Sequence, residues 1–275
     1  MKISKNFSPL AILFIAALAG CGGGGGAIPS IPPVSTNLYT TLRSVEVHPQ
    51  YGDPTVQLSV AVAMKANAVR VDYTKEYGEA YYDAFFAAAS ADNLSVMEIT
   101  PYIHTDGTFA ERLPYSPAAY AVYVAAEATR RCGSVPSLIF EIYNEPDAPN
   151  GQANIDYTAY LSLVKATAPA IRAACPSATI ITGGTSGLDI GWDQAIASLA
   201  PYVDGYGLHP YRQTDDGMRS AITAVQAAFG TSKPVYFTEF GPSIGAFENA
   251  KGSSPFWNTY QENLIGSAFS FAGAF

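Results

Sequence analysis

The sequence alternates short apolar stretches with longer amphipathic ones, and this alternation limits the fold more than any other feature. The short stretches are rich in Val, Ile, Phe and Tyr and are bounded by Gly, Pro, Asn or Asp, as is typical of buried strands. We predict strands over seven ranges: 42–48, 68–73, 95–102, 137–144, 178–184, 203–209 and 234–240. We predict helices over six ranges between them: 54–66, 77–92, 116–131, 154–174, 192–200 and 216–229. Strands that alternate with helices in this way predict a parallel sheet.

The length of 275 residues is typical of an α/β protein whose sheet closes into a (β/α)8 barrel, or TIM barrel. An open, doubly wound sheet is the structural alternative, but it ordinarily has fewer strands and a Gly-rich first turn, which is missing from this sequence. After Glu239 only 36 residues remain. A helix near 255–269 uses most of them, so residues 272–275 can begin an eighth strand but cannot complete it. We therefore expect a barrel that is truncated before or within its eighth strand.

The N-terminus has the pattern of an export signal. Lys2 and Lys5 precede an apolar stretch over 10–19. That stretch is too short to be a membrane-spanning helix. The residues that end it, Leu-Ala-Gly-Cys over 18–21, resemble the lipobox of bacterial lipoproteins, in which the cysteine becomes the lipid-modified first residue. The alternative is an ordinary cleaved signal with a cysteine nearby by chance.

We therefore divide the chain into three segments. Residues 1–20 are predicted to be a lipoprotein signal peptide, and residues 21–36 a lipidated Cys21 followed by a Gly/Pro-rich flexible tether. Residues 37–275 are predicted to form the barrel domain. This division implies a protein that is exported to the bacterial cell envelope, where a lipid anchor at Cys21 attaches it to a membrane.

Two further cysteines, Cys132 and Cys175, each follow a helical pattern and shortly precede a strand. In a barrel, two neighbouring helices end on the same face, so we expect these cysteines to form a disulfide. An exported compartment permits such a bond. A pair of buried thiols is the alternative.

The composition excludes some classes of function. The net charge is −8, so the chain lacks the basic surface that nucleic-acid binding requires. Neither a His-x-x-x-His motif nor paired Cys motifs of the zinc type occur, and we expect no metal or cofactor. We expect the protein to be a monomer.

Two glutamates close strand predictions: Glu145, in Phe-Glu-Ile-Tyr-Asn-Glu-Pro, and Glu239, in Val-Tyr-Phe-Thr-Glu-Phe-Gly. A carboxylate at the end of a buried strand is costly unless it has a partner or a role. The two acids are 94 residues apart, or about 31 residues for each of three strand–helix units, close to the roughly 30 that one unit takes. In a barrel both acids would therefore face one pocket at the carboxyl ends of the strands.

Other polar residues are expected near the same pocket. Strand alternation predicts that Glu141, Tyr143 and Glu145 share one face, as do Phe237 and Glu239. Glu141 would then lie deeper and need a cation, for which Arg70 is the candidate, with Asp72 beside it. All three histidines follow predicted strands: His48, His104 and His209. His48 is better explained as a capping or loop residue than as a sugar contact, and His104 is equally explained as a turn residue. Glu79 and Glu127 are expected on solvated helix faces.

Together these motifs resemble clan A retaining glycoside hydrolases. The resemblance covers roughly residues 40–245 and rests on Asn144-Glu145-Pro146, on Thr-Glu-Phe-Gly around Glu239, and on Gly-Leu-His-Pro-Tyr over 207–211. Families 5 and 39 look nearest, with enzymes of the cellulase and β-xylosidase type. The resemblance implies that Glu145 is the acid/base and Glu239 the nucleophile of a double displacement on a β-linked poly- or oligosaccharide.

The resemblance also implies which residues would bind a carbohydrate substrate: Asn144, His209, Tyr211, Arg70, His104 and Tyr143. Asn144 would bond the sugar 2-hydroxyl, and Tyr211 would orient the nucleophile. Arg70 with Glu141 is equally explained as an interior ion pair. The two acids should have pKa values that differ, with that of the acid/base raised. The alternative to an enzyme is a non-catalytic, carbohydrate-binding envelope lipoprotein on a degenerate barrel.

Overall fold

The computed structural model describes residues 42–49, 52–73, 77–101, 116–147, 155–212, 215–230 and 233–239, and the backbone of one further strand. The strands are β1 (Phe14–Leu18), β2 (Ser44–Val47), β3 (Ala68–Asp72), β4 (Ser95–Ile99), β5 (Leu138–Ile142), β6 (Thr179–Thr182), β7 (Tyr206–Leu208) and β8 (Val235–Phe237). The helices are α1 (Pro54–Ala63), α2 (Gly78–Ala91), α3 (Pro117–Arg131), α4 (Tyr157–Ala174), α5 (Ile190–Ala197) and α6 (Asp215–Phe229). The seven strands and six helices that the sequence predicts are confirmed.

The sheet closes into a barrel. Its strand order is β6-β5-β4-β3-β2-β1-β8-β7, and the bridges Ile181–Gly205 and Thr185–Leu208 join β6 to β7. Strands β2 to β6 pair in parallel, as do β7 and β8. This ring of parallel strands with intervening helices is the predicted α/β barrel.

Strand β1 differs from the others because it runs antiparallel to both of its neighbours. Phe14 pairs with Val45 of β2, and Leu18 pairs with Val235 of β8. It therefore occupies the eighth position of the barrel. At that position β1 pairs with the edges of both β2 and β8, which would otherwise be unpaired and therefore unfavourable. The sequence interpretation of the stretch that contains β1 as part of an export signal stays a prediction. The predicted helix near 255–269 and the predicted beginning of an eighth strand at 272–275 lie outside the described residues.

The helix ends explain why the predicted boundaries were close. Asp53, Ser116 and Asp156 precede α1, α3 and α4, and each side chain accepts a hydrogen bond from a backbone N–H of the first turn. Such N-caps satisfy amide groups that would otherwise have no partner. Pro54 and Pro117 begin two of these helices, where the missing N–H of proline does no harm.

The core has two parts. The larger part lies between the sheet and the helices and contains most of the buried Val, Ile, Leu, Phe and Tyr side chains. The smaller part fills the interior of the barrel with four buried side chains: Met97, Ile139, Ile181 and Tyr236. Arg70 and Glu141 are also completely buried. Arg70 pairs with Met97 on the neighbouring strand, and Glu141 lies two residues after Ile139, so both point into the barrel interior. The interior therefore changes from apolar to charged along the barrel axis.

A second group of charged residues lies outside the barrel, between β4 and helices α2 and α3. Glu127 is 6% exposed, and its carboxylate lies 3.4 Å from the guanidinium of Arg131. Arg131 also bonds Glu79, which is partly exposed. The prediction that Glu127 lies on a solvated helix face is therefore wrong. The helical pattern could not reveal its burial, because the neighbours that cover it include residues from another helix.

Glu98 of β4 belongs to this outer group and is 1% exposed. Its Oε2 has no hydrogen-bond partner among the described residues. Burial, followed by the nearby charge of Glu127, raises the pKa of Glu98 to about 8. The side chain is therefore a neutral acid in the folded protein at neutral pH.

The disulfide predicted from the sequence is present. Cys132 and Cys175 directly follow the last residues of α3 and α4, and their Cα atoms lie 5.4 Å apart. Because these helices run back along the strands, their C-terminal ends lie at the amino end of the barrel, away from Glu145. The bond thus fastens two helices without constraining the carboxyl ends of the strands.

Burial of Glu98 predicts a specific dependence of stability on pH. Its folded pKa is raised, so its stabilising contribution is complete below about pH 4.5 and is lost as the pH rises to about 8. Glu98→Gln should flatten the decline in the free energy of unfolding between pH 5 and pH 8, as measured by urea denaturation. The exposed Asp92→Asn removes the same charge and should leave the decline unchanged. Equal slopes for parent and Glu98→Gln would show that Glu98 is ionised in the folded state.

Removing the disulfide should lower stability and leave the strand ends intact. The bond joins residues 43 positions apart, for which the chain-entropy model gives a loss of roughly 4 kcal/mol in the Cys132→Ser/Cys175→Ser variant. Urea denaturation of the parent, with and without reductant, supplies the comparison. The reduced parent should match the variant, and an oxidised parent no more stable than the reduced one would contradict the expectation.

Candidate active site

The backbone turns sharply where strands β5 and β8 end, and this places both acids. Strand β5 ends at Ile142, and Tyr143 and Glu145 follow with positive φ angles of 74° and 41°. Strand β8 ends at Phe237, two residues before Glu239. Alternation is lost beyond the strand ends: Tyr143 and Phe237 pack in the outer core, whereas Glu239 contacts Arg70. The predicted shared face is therefore wrong for Tyr143 and for Phe237 with Glu239, but Glu141 and Glu145 do share a side, since both contact His209. Glu141, which lies inside β5, does point into the barrel as predicted.

The two acids are close together at the mouth of the barrel. One carboxylate oxygen of Glu145, one of Glu239 and a ring nitrogen of His209 all lie within 4.8 Å of one another. The Glu145 side chain is 19% exposed and that of Glu239 is 13% exposed, so both remain accessible to a ligand. The strand-end acids singled out in the sequence therefore face one site.

His209 lies between the acids and is held on both ring nitrogens. Its Nδ1 is 3.1 Å from Glu145 Oε1, and its Nε2 is 2.8 Å from Thr238 Oγ1. The Thr238 hydroxyl in turn donates to Glu141. Gly184 makes room for the ring, since an added Cβ at this position would lie 2.2 Å from His209. The orientation of the imidazole is therefore fixed from below and from one side.

Arg70 is the centre of the charged layer beneath the site. Its Nε donates to Glu141 at 2.7 Å, and its Nη2 donates to Asn144 at 2.9 Å. Its Nη1 donates both to Glu46 at 2.7 Å and to Glu239 at 2.5 Å. The guanidinium is completely buried. Every nitrogen of this side chain thus holds a residue at the carboxyl end of a strand.

Two other predicted residues contact this layer. The Tyr211 hydroxyl donates to Glu239 Oε2 at 2.8 Å, so Tyr211 orients this carboxylate as expected. The carboxamide oxygen of Asn144 accepts from Arg70, which fixes the side chain of the residue that precedes Glu145. Each oxygen of Glu239 therefore accepts a hydrogen bond, one from Arg70 and the other from Tyr211.

The buried charges determine which groups are ionised. Burial alone would raise the pKa of Glu141, but Arg70 and His209 lower it to about 2. Burial disfavours the charged form of His209, yet the charge of Glu239 and the neighbouring carboxylates outweigh it and raise its pKa to about 10. His209 is therefore an imidazolium at neutral pH, with both ring nitrogens as donors.

The pKa of Glu145 differs from the expectation. Burial acts to raise it, but the hydrogen bond and charge of His209 outweigh burial and lower the pKa below its ordinary value. The sequence could not show this, because it places His209 on another strand without giving its charge. In the free protein Glu145 is thus a carboxylate rather than a neutral acid.

Several residues assigned to substrate binding have other positions. The Tyr143 ring is 1% exposed and packs against Tyr160 of α4 in the outer core, so its assignment is corrected. Arg70 and His209 are completely buried and contact the carboxylates, so they position the acids rather than touch a sugar. His104 and Cys21 lie outside the described residues.

The sequence reasoning also missed or undervalued several residues. The sequence patterns do not single out Glu46, although it shares Arg70 with Glu239. The sequence predicts a capping or loop role for His48, but its Nδ1 lies 2.8 Å from Asp72 Oδ2. A weak signal was available, because Glu46 and Asp72 are acids within apolar strand patterns.

Two groups of side chains combine a histidine with two carboxylates closely enough to be tested as metal sites. They are Glu46–His48–Asp72 and Glu145–His209–Glu239. Arg70 bonds a carboxylate of each group. A cation in either group would lie beside this fixed positive charge, and in the second group also beside the imidazolium of His209. The donor sets therefore fit internal ion pairs better than a metal ion.

Similarity to solved structures agrees with the barrel. One structure, described as a glycoside hydrolase, has a TM-score of 0.51 and 18% identity, over 66% of this chain and 70% of that one. A family 39 β-xylosidase from Caulobacter crescentus has a TM-score of 0.54 and 18% identity, over 73% of this chain and 53% of that one. This chain thus spans about half the length of that β-xylosidase. At this level of identity the likeness shows the fold alone.

A protein-family model identifies the family, although comparison with curated protein sequences found no match. The model of the cellulase family, glycosyl hydrolase family 5, matches residues 58–269. The matched range contains both strand-end acids, His209 and the guanidinium that supports them. Because this match covers well over half of its length, the chain belongs to glycosyl hydrolase family 5, the cellulase family.

Proposed function

We propose that the protein is a retaining glycoside hydrolase that cleaves β-linked poly- or oligosaccharides through a double displacement. The observation that carries this proposal is the proximity of Glu145 and Glu239, whose nearest identified oxygens are within 4.8 Å. Retaining enzymes hold their two carboxyl groups about 5–5.5 Å apart, whereas inverting enzymes need about 6.5–9.5 Å for an intervening water. The spacing therefore favours direct attack by a carboxylate.

In the first step, Glu239 is the nucleophile. One of its carboxylate oxygens bonds to the anomeric carbon as the bond from this carbon to the glycosidic oxygen breaks. The glycosidic oxygen keeps the electron pair of that bond and takes a proton from the carboxylic acid of Glu145. A glycosyl ester on Glu239 and a free alcohol result.

In the second step, Glu145 is the base. Its carboxylate takes a proton from water, and the water oxygen bonds to the anomeric carbon. The ester bond breaks, and Glu239 regains its charge. Two inversions leave the sugar with its original β configuration. The lowered pKa of Glu145 suits this step, since the carboxylate form is the one that accepts the proton.

The first step instead needs the protonated form of Glu145. Burial is the largest influence on its pKa and acts upward. A sugar that covers the exposed part of this side chain increases burial and so favours the acid form. His209 contacts both acids, because its Nδ1 lies 3.1 Å from Glu145 and 3.7 Å from Glu239. A change in the charge of either carboxylate therefore acts on the same imidazolium.

The fixed donors around Glu239 prepare it for attack. Tyr211 and Arg70 each bond a different oxygen of this carboxylate, which holds it in one orientation before the substrate arrives. Asn144 is fixed by Arg70 next to the acid/base and is the candidate donor to the sugar 2-hydroxyl. Such preorganisation is a major source of catalytic power.

Hydrolysis of aryl β-glycosides tests the proposal. The panel comprises glucoside, xyloside, mannoside and cellobioside, because the family name and the β-xylosidase neighbour suggest different sugars. Glu239→Ala should reduce turnover to background. Glu145→Ala should lower kcat/KM by about 10²–10⁴ on poor leaving groups, since it removes general acid–base catalysis. Glu98→Gln, on the outer face of β4, serves as the matched control and should retain turnover.

The configuration of the first product completes the test. NMR of the fresh product should show the β anomer. With a dinitrophenyl β-glycoside, whose leaving group needs no protonation, azide should restore turnover to Glu145→Ala, because it attacks the glycosyl ester without the help of a base. An α anomer would exclude retention. Absence of turnover by the folded parent, combined with retained sugar binding, would instead indicate a carbohydrate-binding protein without activity.

We also propose that the protein is exported and anchored in the cell envelope through a lipid on Cys21. The basic and apolar N-terminal pattern and the lipobox-like residues over 18–21 support this location. The Cys132–Cys175 disulfide is compatible with an oxidising compartment. In the described part of the chain, no helix has the length and apolar character needed to cross a membrane.

A single substitution tests the anchor. When the full chain is expressed in a bacterial host that processes lipoproteins, the parent should fractionate with membranes and Cys21→Ser should appear in the soluble fraction. Mass spectrometry should find an acylated N-terminal cysteine in the parent. Equal membrane association of both proteins would count against lipidation. Cys132→Ser, which changes a cysteine elsewhere, serves as the control and should stay with the membranes.

A further inference from the structure

Glu46 and Glu239 accept hydrogen bonds from the same nitrogen. Arg70 Nη1 lies 2.7 Å from Glu46 Oε1 and 2.5 Å from Glu239 Oε1. Glu46 comes from β2, and its side chain is only 8% exposed. In addition to the two acids of the double displacement, a third carboxylate is therefore joined to the nucleophile through one guanidinium nitrogen.

Two carboxylates in such proximity do not both ionise readily. Like charges at a shared, buried site raise the pKa of one of them. Burial, followed by the charge of Glu239, raises the pKa of Glu46 to about 8, against the opposite effects of Arg70 and His48. Glu46 is thus the neutral member of the pair at neutral pH. When Glu46 is neutral, Glu239 is the one carboxylate of this pair that forms an ion pair with Arg70 Nη1.

Glu46 is itself held within a built arrangement. His48 Nε2 lies 3.8 Å from Glu46 Oε1, while the other ring nitrogen lies 2.8 Å from Asp72 Oδ2. Gln57 of α1 accepts a hydrogen bond from the backbone N–H of His48 and donates one to its carbonyl. Gln57 therefore fixes the backbone of His48 from the helix side, while Asp72 holds the imidazole ring. The charged groups around Glu46 are Arg70, Glu239, His48 and Asp72. The charge of Glu46 is also one of the causes that raise the pKa of the Tyr211 hydroxyl.

We propose that Glu46 is a positioning residue for the nucleophile, which it controls through Arg70. As a neutral acid it accepts a hydrogen bond from Nη1 without drawing this nitrogen away from Glu239. As a carboxylate it competes for the nitrogen and repels Glu239, so the nucleophile is held less well. The inference rests on the proposed role of Glu239 and adds a group that limits activity at alkaline pH.

The test must separate this effect from the ionisation of Glu145. A dinitrophenyl β-glycoside has a leaving group that departs without protonation, so its kcat/KM does not depend on the acid form of Glu145. Its sugar is the one that the parent hydrolyses best in the aryl glycoside panel. With this substrate, parent kcat/KM should fall by about tenfold between pH 7 and pH 9.5. Glu46→Gln stays neutral and keeps an oxygen for Arg70, so its profile should remain flat over this range.

Two further variants make the outcome specific. Glu98→Gln removes another buried glutamate whose pKa is raised to about 8, but on the outer face of the barrel, and should retain the profile of the parent. His48→Gln removes a positive charge that favours ionisation of Glu46, so the alkaline fall should move to higher pH. Circular dichroism and urea denaturation check that each variant is folded.

The possible results decide between this inference and others. An unchanged alkaline fall in Glu46→Gln would overturn it, as would a loss of activity by the same factor at every pH in a folded variant. If Glu46→Gln does not fold, an unmoved fall in His48→Gln overturns it instead. Turnover that survives in Glu239→Ala would be a different failure, because it would remove the proposed nucleophile and not the influence of Glu46.

Discussion

The burial of one guanidinium organises the carboxyl end of the barrel. Arg70 has no contact with solvent, and a buried cation is tolerated only when carboxylates and hydrogen bonds surround it. Its partners come from β2, from β5 and the turn after it, and from the residues that follow β8. Because the network fails if any of these strand ends moves, the cost of burying Arg70 is offset only in the geometry that aligns the acids. Stability and function therefore depend on the same contacts.

This network also distributes protons unequally among similar side chains. Five glutamates are buried or nearly so in the described part of the barrel mouth and wall, yet their surroundings differ. Glu141 faces Arg70 and His209 and is strongly acidic, whereas Glu46 and Glu98 are neutral at neutral pH. Burial acts in the same direction on each, so the difference follows from the balance of neighbouring charges. Glu141 faces two cations, whereas Glu46 shares Arg70 with Glu239 and Glu98 lies near Glu127.

The sequence predicted the architecture well because strands and helices are encoded locally. Apolar periodicity and the residues at helix starts were sufficient for thirteen of the fourteen described elements. The pairing of Glu141 with Arg70 was also within reach, since both lie inside regular strands. Failures began where regular structure ended. Tyr143 follows the last residue of β5 with a positive φ, so the two-residue period no longer indicated its direction.

Other details depended on neighbours that are distant in the sequence. The burial of Glu127 results from packing between helices, and the low pKa of Glu145 results from the charge of His209, which is 64 positions away. Glu46 became significant only when its strand was seen to lie beside Arg70. A local sequence pattern shows that an acid lies within an apolar strand, but not which cation it will pair with. Ion pairs of this kind can be identified only once the fold is known.

The left-handed backbone at Glu145 limits how this protein can evolve. A non-glycine residue with positive φ is disfavoured by roughly 1–2 kcal/mol, and glutamate has neither the freedom of glycine nor the local hydrogen bonding of asparagine that relieves it. Replacement of Glu145 by glycine would relieve this strain but would also remove the proposed proton donor. Backbone strain thus lies at the candidate site itself, at a position where a gain in stability would come with a change in the site.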